Sequence, residues 1–384
     1  MNDPMKHQII LVVDDEIGIT EGVAAGLART GRTIITANDL DGAEMAVEWL
    51  NPSHIVSDIR LSGPFAFEGL DFVRFIERCS PESRVILMTG QATDALRIEA
   101  SHRGVVALLQ KPFEISQLDS ILDSTAPNRQ GSPEWPELMR MPLFDDILTG
   151  DELSSVFQPV VRLDSEEYVG YEALTRLQTE SPLRNPERLF QYAARKKRIP
   201  DLELACVRRS LEAGAGLARV APIFLNIHPT VFAGPHLEKT ILEASERSGV
   251  PLHRIVLEIT EQGTLDEDRT QFDMIRRLSQ SGVRFAFDDV GTAYSHLPFV
   301  EQVRPAFLKI SQQFGTSFEA DETKTKIVHN LLSLAGAFDS ELILEGVETA
   351  ATAAAAKALG IKYAQGYYFA RPARAATFEA SARR

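Results

Sequence analysis

Short apolar runs alternate with amphipathic stretches along the first 123 residues. The runs are rich in β-branched residues and apolar throughout, which predicts strands buried on both faces. They are Ile9–Val13, Thr33–Ala37, His54–Ser57, Val85–Met88 and Val105–Leu109. Helix-like segments such as Ile17–Ala28 and Leu70–Arg78 lie between them. This alternation predicts a doubly wound α/β domain, in which helices cover both faces of a parallel sheet.

The same alternation returns after about residue 150 and continues through the rest of the chain. Its strand candidates are Val156–Val161, Tyr168–Leu174, Ile223–Ile227, Ile255–Ile259, Val283–Phe287, Ala306–Ile310, Leu342–Glu345 and Tyr363–Gln365. Helical stretches such as Leu237–Ser248 separate them, and a last helix over Ala350–Leu359 is flanked by Thr349 as N-cap and by Gly360. The length and number of these βα units predict a TIM-type (β/α) barrel.

A polar stretch separates the two regions. Residues Ser124–Glu137 contain three prolines and a glycine, a composition typical of a linker. The apolar stretch that follows, Leu138–Leu148, is expected to dock on one of the domains or on a partner chain. We therefore predict a first domain over residues 1–123, a linker over 124–149 and a second domain over 150–384.

The charge balance argues against a nucleic-acid-binding output. The chain has 40 basic and 54 acidic residues, whereas nucleic-acid-binding domains carry a basic face. We expect the basic run Arg195–Arg198 to be a solvated helix end. The two cysteines, Cys79 and Cys206, are far apart, which fits a reducing cytosol. The longest early apolar run, Ile9–Val13, is too short for a signal peptide or a membrane span, so we expect a cytoplasmic protein.

Residues suited to phosphate chemistry follow the strands of the first domain. Asp14 and Asp15 follow the first strand, Asp58 the third, Thr89 the fourth and Lys111 the fifth. Ligands of an open parallel sheet bind at the carboxyl ends of its strands, so these side chains should meet. An acidic pair can hold a hard cation, and a central aspartate can accept a phosphoryl group. The threonine and the lysine can bind the oxygens of that group.

Residues 8–123 resemble the receiver domain of bacterial response regulators, because VVDDE, the strand end at Asp58, LMTG and LLQKPF stand in the expected order. The resemblance implies a flavodoxin-like fold, one Mg²⁺ and a sensor histidine kinase as phospho-donor. It implies that the functional residues are the phospho-acceptor Asp58, the metal-binding Asp14 and Asp15, and the switch residues Thr89 and Lys111. The loop after Asp58 is longer than usual, and Leu108 stands where the family usually has an aromatic switch residue.

Polar side chains also follow the strands of the second region. They are Glu172, Asn226, Glu258, Glu261, Asp288, Asp289, Lys309, Glu345 and Gln365. In a barrel these strand ends share one mouth, where active sites lie. A ligand set dominated by carboxylates suits Mg²⁺ or Mn²⁺ rather than zinc. Because so many acids would repel one another, we expect two cations among them.

These motifs resemble the EAL domain, the cyclic di-GMP phosphodiesterase family, over roughly residues 150–375, including the literal Glu172-Ala173-Leu174. The resemblance implies that cyclic di-GMP is hydrolysed to linear pGpG with two Mg²⁺ or Mn²⁺ ions. The metal ligands that it implies are Glu172, Asn226, Glu258, Asp288 and Asp289. It also implies a homodimer.

The resemblance assigns further roles around the metal ligands. Lys309 would hold the attacking water, and Gln365 would support the water network. Glu345 would act either as general base or as a water-mediated metal ligand. Glu261 would anchor the loop that follows Asp289.

Two residues and one loop leave an alternative open. Gln158 and Arg176 would contact the substrate, or else form a core hydrogen bond and a buried salt bridge. Four positions depart from the family's usual residues: Val290, Ala293, His296 and Ser311. These departures favour a catalytically weak or inactive domain that acts as a cyclic di-GMP receptor or protein-interaction module. The intact ligand set favours the enzyme.

Overall fold

The computed structural model describes residues 7–61, 68–125, 138–259, 269–291 and 297–379. The chain divides into two compact units. The first contains Met1–Glu152 and Leu177–Lys197, and the second contains Leu153–Arg176 and Arg198–Arg384. No helix within the described ranges combines the length and the apolar character needed to cross a membrane.

The first unit is built on a six-stranded parallel sheet with the strand order β5-β4-β3-β1-β2-β6. The strands are β1 Gln8–Val13, β2 Arg32–Ala37, β3 His54–Asp58, β4 Arg84–Thr89, β5 Ala107–Gln110 and β6 Leu138–Met141. The helices are α1 Ile17–Leu27, α2 Leu40–Leu50, α3 Glu68–Cys79, α4 Asp94–His102, α5 Ile115–Ser124, α6 Phe144–Thr149 and α7 Pro186–Arg195. The order of β1–β5 is that of a flavodoxin-like fold, which confirms the predicted fold class.

Strand β6 lies inside the range that we predicted as a linker. It pairs in parallel with β2, with Met139 opposite Ile35 and Met141 opposite Ala37. Both methionines are buried. Without β6, the backbone groups of β2 would be left on an open sheet edge. The apolar stretch after residue 137 therefore docks on the first unit.

The segment Leu177–Lys197 belongs to the first unit although strands of the second unit precede it in the chain. Its helix α7 ends in basic residues that pair with acids of α2. Arg195 Nη2 lies 2.6 Å from Glu44 Oε2, and Lys196 Nζ lies 2.7 Å from Asp41 Oδ2. We expected this basic run to be a solvated helix end, but these two residues are only about one-quarter and one-fifth exposed.

The second unit is a closed barrel with the strand order β10-β11-β12-β13-β14-β7-β8-β9. Its strands are β7 Leu153–Arg162, β8 Tyr168–Leu177, β9 Ile223–Ile227, β10 Ile255–Ile259, β11 Arg284–Val290, β12 Phe307–Ile310, β13 Glu341–Leu344 and β14 Tyr363–Ala364. Its helices are α8 Ile199–Gly214, α9 Leu237–Ser248, α10 Arg269–Gln280, α11 Leu297–Val303, α12 Gln312–Gly315, α13 Glu322–Ala337, α14 Ala350–Ala358 and α15 Ala375–Glu379. The predicted TIM-type fold is confirmed.

One strand departs from the all-parallel arrangement of a TIM barrel. Strand β7 pairs antiparallel with β14, whereas the pairs from β8 through β11 and from β11 through β14 are parallel. The connection from β7 to β8 consists only of residues 163–167. A parallel crossover needs a dozen or more residues, so this short connection allows only a hairpin.

Candidate active site

Side-chain alternation along the barrel strands delivers the polar residues to one mouth. Inside the barrel lies a small apolar cluster that includes Phe224, Val256, Ala286, Phe307 and Ile343. Each of these residues is followed two positions later by a site residue: Asn226, Glu258, Asp288, Lys309 and Glu345. Because side chains of a strand alternate between its two faces, the residue two positions on also points inward, one layer closer to the mouth.

An irregularity in β11 brings two consecutive aspartates to the same cavity. A regular strand would point Asp288 and Asp289 to opposite faces. The register with β12 shifts between Phe287 and Val290, and Asp289 has a φ of 53°. Asp289 N donates to Asp288 Oδ1 at 2.8 Å, and both side chains line the cavity. A left-handed conformation is tolerated by aspartate better than by most residues, but it still costs about 1–3 kcal/mol.

Lys309 is the centre of the charged cluster. Its side chain is only 1% exposed, and its ammonium contacts four carboxylates, three on barrel strands and one directly after β13. The distances from Nζ are 3.3 Å to Glu172 Oε2, 3.6 Å to Asp288 Oδ1 and 2.7 Å to Glu345 Oε1, and Glu258 Oε1 also accepts a hydrogen bond from it. One cation therefore faces four acids, and its single charge cannot balance them when all four are ionised.

Glu172 is fixed by amide groups as well as by the lysine. Asn226 Nδ2 donates to Glu172 Oε1 at 3.0 Å, and Gln365 Nε2 donates to Glu172 Oε2 at 2.7 Å. Gln365 Nε2 also lies 3.1 Å from Gln158 Oε1, whose own Nε2 donates to the carbonyl of Ala370. Of the two alternatives for Gln158, the core hydrogen bond is present, and its side chain also lines the cavity.

Burial raises the pKa values of the glutamates in this cluster, whereas the charge of Lys309 lowers them. Burial raises the pKa of Glu258 well above its usual value, despite the attraction of Lys309, because three other acids repel its charge. Burial raises the pKa of Glu345 to about 8. Burial alone would raise the pKa of Glu172, but Lys309 and the amides of Asn226 and Gln365 hold it below its usual value. The four carboxylates keep Lys309 protonated by raising its pKa, although burial opposes this.

The donor set fits divalent cations. Carboxylate oxygens of Glu172, Glu258 and Glu345 lie within 4.8 Å of one another, as do those of Asp288, Asp289 and Glu345. In the described part of the chain, the buried Oε2 of Glu258 has no hydrogen-bond partner. A buried carboxylate oxygen without a partner is costly, and a hard cation would satisfy it. The five carboxylates and Asn226 could therefore hold Mg²⁺ or Mn²⁺.

The cavity above these groups has a volume of about 300 Å³. It is lined by residues that we predicted and by others that we missed, three of which are polar or aromatic: Gln312, Glu348 and Tyr367. Each of the three follows a barrel strand within a few residues, so the rule that barrel loops carry function could have pointed to them. Being polar or aromatic in a loop is otherwise too common a property to identify them.

Other predicted site residues lie elsewhere or outside the described ranges. Arg176 does not line the cavity among the described residues, and its Nη1 donates to the carbonyl of Thr175 at 2.7 Å. Glu261, Ala293 and His296 lie outside the described residues. The departure at Ser311 has a structural counterpart, because its hydroxyl accepts from Gln313 N and caps α12.

A second acidic site lies at the carboxyl ends of the strands of the first unit. Carboxylate oxygens of Asp14, Asp15 and Asp58 lie within 4.8 Å of one another. Lys111 Nζ lies 2.6 Å from Asp14 Oδ2 and 3.3 Å from Asp58 Oδ2. Burial raises the pKa of Asp58, and Lys111 opposes that shift.

Thr89 ends β4 at the same edge of the sheet. Its hydroxyl donates to the carbonyl of Gln91 and accepts from Gln91 N. The five residues predicted for this site thus all follow the carboxyl ends of strands of one parallel sheet, where such folds bind their ligands.

Comparison with known families identifies both regions. A model of the EAL domain matches residues 143–372, and a model of the response regulator receiver domain matches residues 10–123. Among curated proteins, the cyclic di-GMP phosphodiesterase RocR of Pseudomonas aeruginosa is 27% identical over 348 residues, which cover 86% of this chain and 88% of RocR. The cyclic di-GMP phosphodiesterase TpdA of Vibrio parahaemolyticus is 24% identical over 212 residues, 55% of this chain and 36% of TpdA.

The chain thus spans most of RocR and about a third of several other curated relatives. Among solved structures, a standalone EAL protein from Vibrio cholerae O395 with cyclic di-GMP bound is 27% identical. It superposes with a TM-score of 0.50 over 58% of this chain and 92% of that protein.

Proposed function

Since the chain belongs to the EAL domain family and carries a response regulator receiver domain, we propose that it hydrolyses cyclic di-GMP to linear pGpG under control of phosphorylation at Asp58. The observation that carries this proposal is the cluster at the barrel mouth, where a buried lysine faces four carboxylates and one buried oxygen lacks a partner. Such a site is incomplete without cations and suits an anionic phosphodiester with them.

The metal ligands would be divided between two cations, Mg²⁺ or Mn²⁺. Glu172, Asn226, Glu258, Asp288 and Asp289 would hold them. When bound, the cations would neutralise charge on the phosphodiester and activate water for attack.

Side chains of the barrel mouth would direct the proton and the water. Lys309 stays protonated and can only donate, so it would orient the attacking water and could not act as the base. Glu345, 2.7 Å from Lys309 Nζ, would accept the proton of that water in its ionised form, which the positive charge of bound cations would favour. Water would form the new bond to phosphorus, the bond to the 3′ oxygen would break, and that oxygen would take up a proton to give linear pGpG.

The alternative function is a cyclic di-GMP receptor with little or no turnover. It is favoured by the altered residues after Asp289, of which Val290 and Ser311 are described and buried. It is disfavoured by the contacts of Lys309 with Glu172, Glu258 and Asp288 and of Asn226 with Glu172, which support a hydrolytic site.

Incubation of the protein with cyclic di-GMP and Mg²⁺ or Mn²⁺ separates the two functions. The expected result is pGpG from the wild type and none from Glu172→Ala. If cyclic di-GMP binds and no pGpG forms with either cation, the receptor function replaces the enzyme.

The receiver site would take its phosphoryl group from a sensor histidine kinase. Asp58 would accept it while Asp14 and Asp15 hold one Mg²⁺, and Lys111 and Thr89 would bind the added oxygens. We also propose a homodimer, on the family resemblance, and light scattering at micromolar concentration tests it. A strictly monomeric mass would contradict this part of the proposal.

A further inference from the structure

The end of the barrel opposite the candidate active site collects arginines. Arg284 is the first residue of β11, and Arg254 directly precedes β10. Arg162 is the last residue of β7 and lies opposite Tyr363, the first residue of β14, because these two strands are antiparallel. All three arginines therefore lie at the amino ends of the parallel strands. They form the amino-end arginine cluster, which the chemistry described above does not use.

Strand alternation points two of these side chains into the barrel. Arg254 and Arg284 lie two positions before Val256 and Ala286, which belong to the apolar cluster inside the barrel. Residues two positions apart on a strand share a face, so the arginines form the next layer towards the amino-terminal mouth. Arg254 is also held by a hydrogen bond of 3.2 Å from its Nη1 to the carbonyl of Val220.

Two arginines of the cluster rest on aromatic rings that contact each other. The guanidinium carbon of Arg284 lies 5.6 Å from the ring centroid of Phe307, and that of Arg162 lies 5.5 Å from the ring centroid of Tyr363. The centroids of the two rings are 6.3 Å apart. These cation–π contacts hold the guanidinium groups at the mouth of the barrel without neutralising their charge.

The cluster lacks acidic partners. Among the described residues, no carboxylate forms an ion pair with any of the three arginines, although the chain has more acidic than basic residues. Glu341, at the same end of the barrel, pairs with Lys362 at 2.7 Å. Burial and the charge of Arg254 lower the pKa of Arg284. Partly buried like charges without counterions are unfavourable, so an anion from solution would stabilise this end of the barrel.

The chemistry of the cluster selects a phosphate group among anions. A guanidinium presents a planar fork of donors that matches the oxygens of phosphate or carboxylate. A phosphate monoester carries a charge of about −1.5 to −2 at pH 7, so it can balance two arginines where a carboxylate balances one. The rings of Phe307 and Tyr363 already contact guanidinium groups and each other, so the cluster offers charge rather than a free stacking surface.

We propose that the amino-end arginine cluster is a second ligand site, which binds a phosphate group from free phosphate or from a small phosphate monoester. The proposal does not depend on hydrolysis of cyclic di-GMP. The site can be studied separately, because the two other charged clusters, at the opposite mouth and in the first unit, are rich in carboxylates. Without divalent cations, those carboxylates would repel phosphate.

The test measures binding of inorganic phosphate to the full chain in a chelator, by phosphorus NMR. We expect saturable binding that weakens as sodium chloride is added, since salt screens the attraction. Arg162→Gln and Arg284→Gln should each weaken binding about 10-fold or more, because each removes a charge-assisted hydrogen-bond donor. Arg284→Lys keeps the charge without the fork and should bind more tightly than Arg284→Gln but less tightly than the wild type.

Arg188→Gln is the matched control. Arg188 also rests on an aromatic ring, with its guanidinium carbon 5.2 Å from the ring centroid of Trp49 in the first unit, and its loss should leave phosphate binding unchanged. A parallel titration with methyl phosphate shows whether the free anion or a monoester binds more tightly. The proposal is overturned if the wild type shows no saturable binding of either ligand, which requires no variant to fold. It is also overturned if Arg162→Gln and Arg284→Gln bind phosphate like the wild type, or if Arg188→Gln weakens binding as much as they do.

Discussion

Both units place a lysine among carboxylates at the carboxyl ends of parallel strands, but the two lysines differ in their access to water. Lys111 is 21% exposed and contacts Asp14 and Asp58. Lys309 is 1% exposed and contacts four carboxylates: Glu172, Glu258, Asp288 and Glu345. Water screens the first cluster and leaves it within reach of a partner protein. The second cluster must balance its charges with groups of its own and with bound ions.

The difference teaches that similar residue types serve opposite requirements. A site that is proposed to accept and release a phosphoryl group would have to tolerate several charge states, and partial exposure lowers the free-energy cost of each of them. A site that holds cations for hydrolysis has to keep one arrangement, and burial makes every missing charge costly.

The largest effect is expected from Lys309→Met. Removal of the only buried cation described in this cluster leaves its carboxylates uncompensated, which should destabilise the metal-free protein by about 3–5 kcal/mol. Turnover should fall by about 10²–10³-fold or more. Thermal unfolding in a chelator and pGpG formation measure the two effects. The matched variant Lys111→Met should cost about 1 kcal/mol or less and keep basal turnover, and equal damage from both variants would contradict the comparison.

Glu258→Gln is expected to have two smaller effects of opposite sign, a gain in stability without metal and a loss of turnover. Its charged form is disfavoured by burial and by neighbouring acids, so the neutral amide should raise the melting temperature of the metal-free protein. The same change removes a ligand charge and should reduce turnover about 10²-fold at a fixed Mg²⁺ concentration. A Glu258→Gln variant that is less stable without metal and fully active would contradict both expectations.

Asp58→Asn should act on the exposed cluster alone. The amide cannot form an acyl phosphate, so incubation with acetyl phosphate and Mg²⁺ should add the mass of a phosphoryl group to the wild type and not to the variant. Basal hydrolysis of cyclic di-GMP should remain within about threefold, because the change lies outside the site of hydrolysis. Persistent phosphorylation of the variant would place the acceptor elsewhere.

The smallest effect concerns a buried neutral group in the first unit. His54 is fully buried, and burial together with Arg32 and Arg84 lowers its pKa from 6.5 to about 4. Below pH 6.5 His54 becomes protonated in the unfolded chain but stays neutral in the folded protein. The free energy of unfolding therefore falls as the pH drops from 6.5 towards 4. The slope from this group is at most about 1.4 kcal/mol per pH unit.

The pH effect can be followed by tryptophan emission, because the chain has two tryptophans and one of them, Trp49, lies in helix α2 of the first unit. Denaturant unfolding by tryptophan emission should show a shallower loss of stability for His54→Gln than for the wild type between pH 6.5 and 5. Parallel curves would mean that other groups account for the acid sensitivity.

The positions of the site residues follow from the alternation of side chains between the two faces of each barrel strand. The apolar residue two positions before each polar one could be recognised without a structure, because strand geometry fixes where the second residue points. The predicted fold classes of both units follow from the same periodicity. The roles of individual residues, such as Glu345 and Arg176, remain predictions.

Features that depend on contacts between residues far apart in the sequence could not be predicted from this periodicity. The bulge at Asp289 arises from the register of β11 with β12. The antiparallel direction of β7 arises from the short connection between β7 and β8. Tyr367 and Tyr368 are adjacent and chemically identical, and only the packing around them decides which one faces the cavity. Glu261 lies outside the described residues.

The return of Leu177–Lys197 to the first unit has a practical consequence for anyone who divides this chain. A cut near residue 150 would leave α7 on the fragment that carries the barrel and remove the surface on which α7 packs. This helix has three residues that are fully buried in the intact chain and would then be exposed to solvent: Leu189, Tyr192 and Ala193. Fragments separated at a single peptide bond would therefore be expected to aggregate, and their loss of activity would say little about signalling between receiver and barrel.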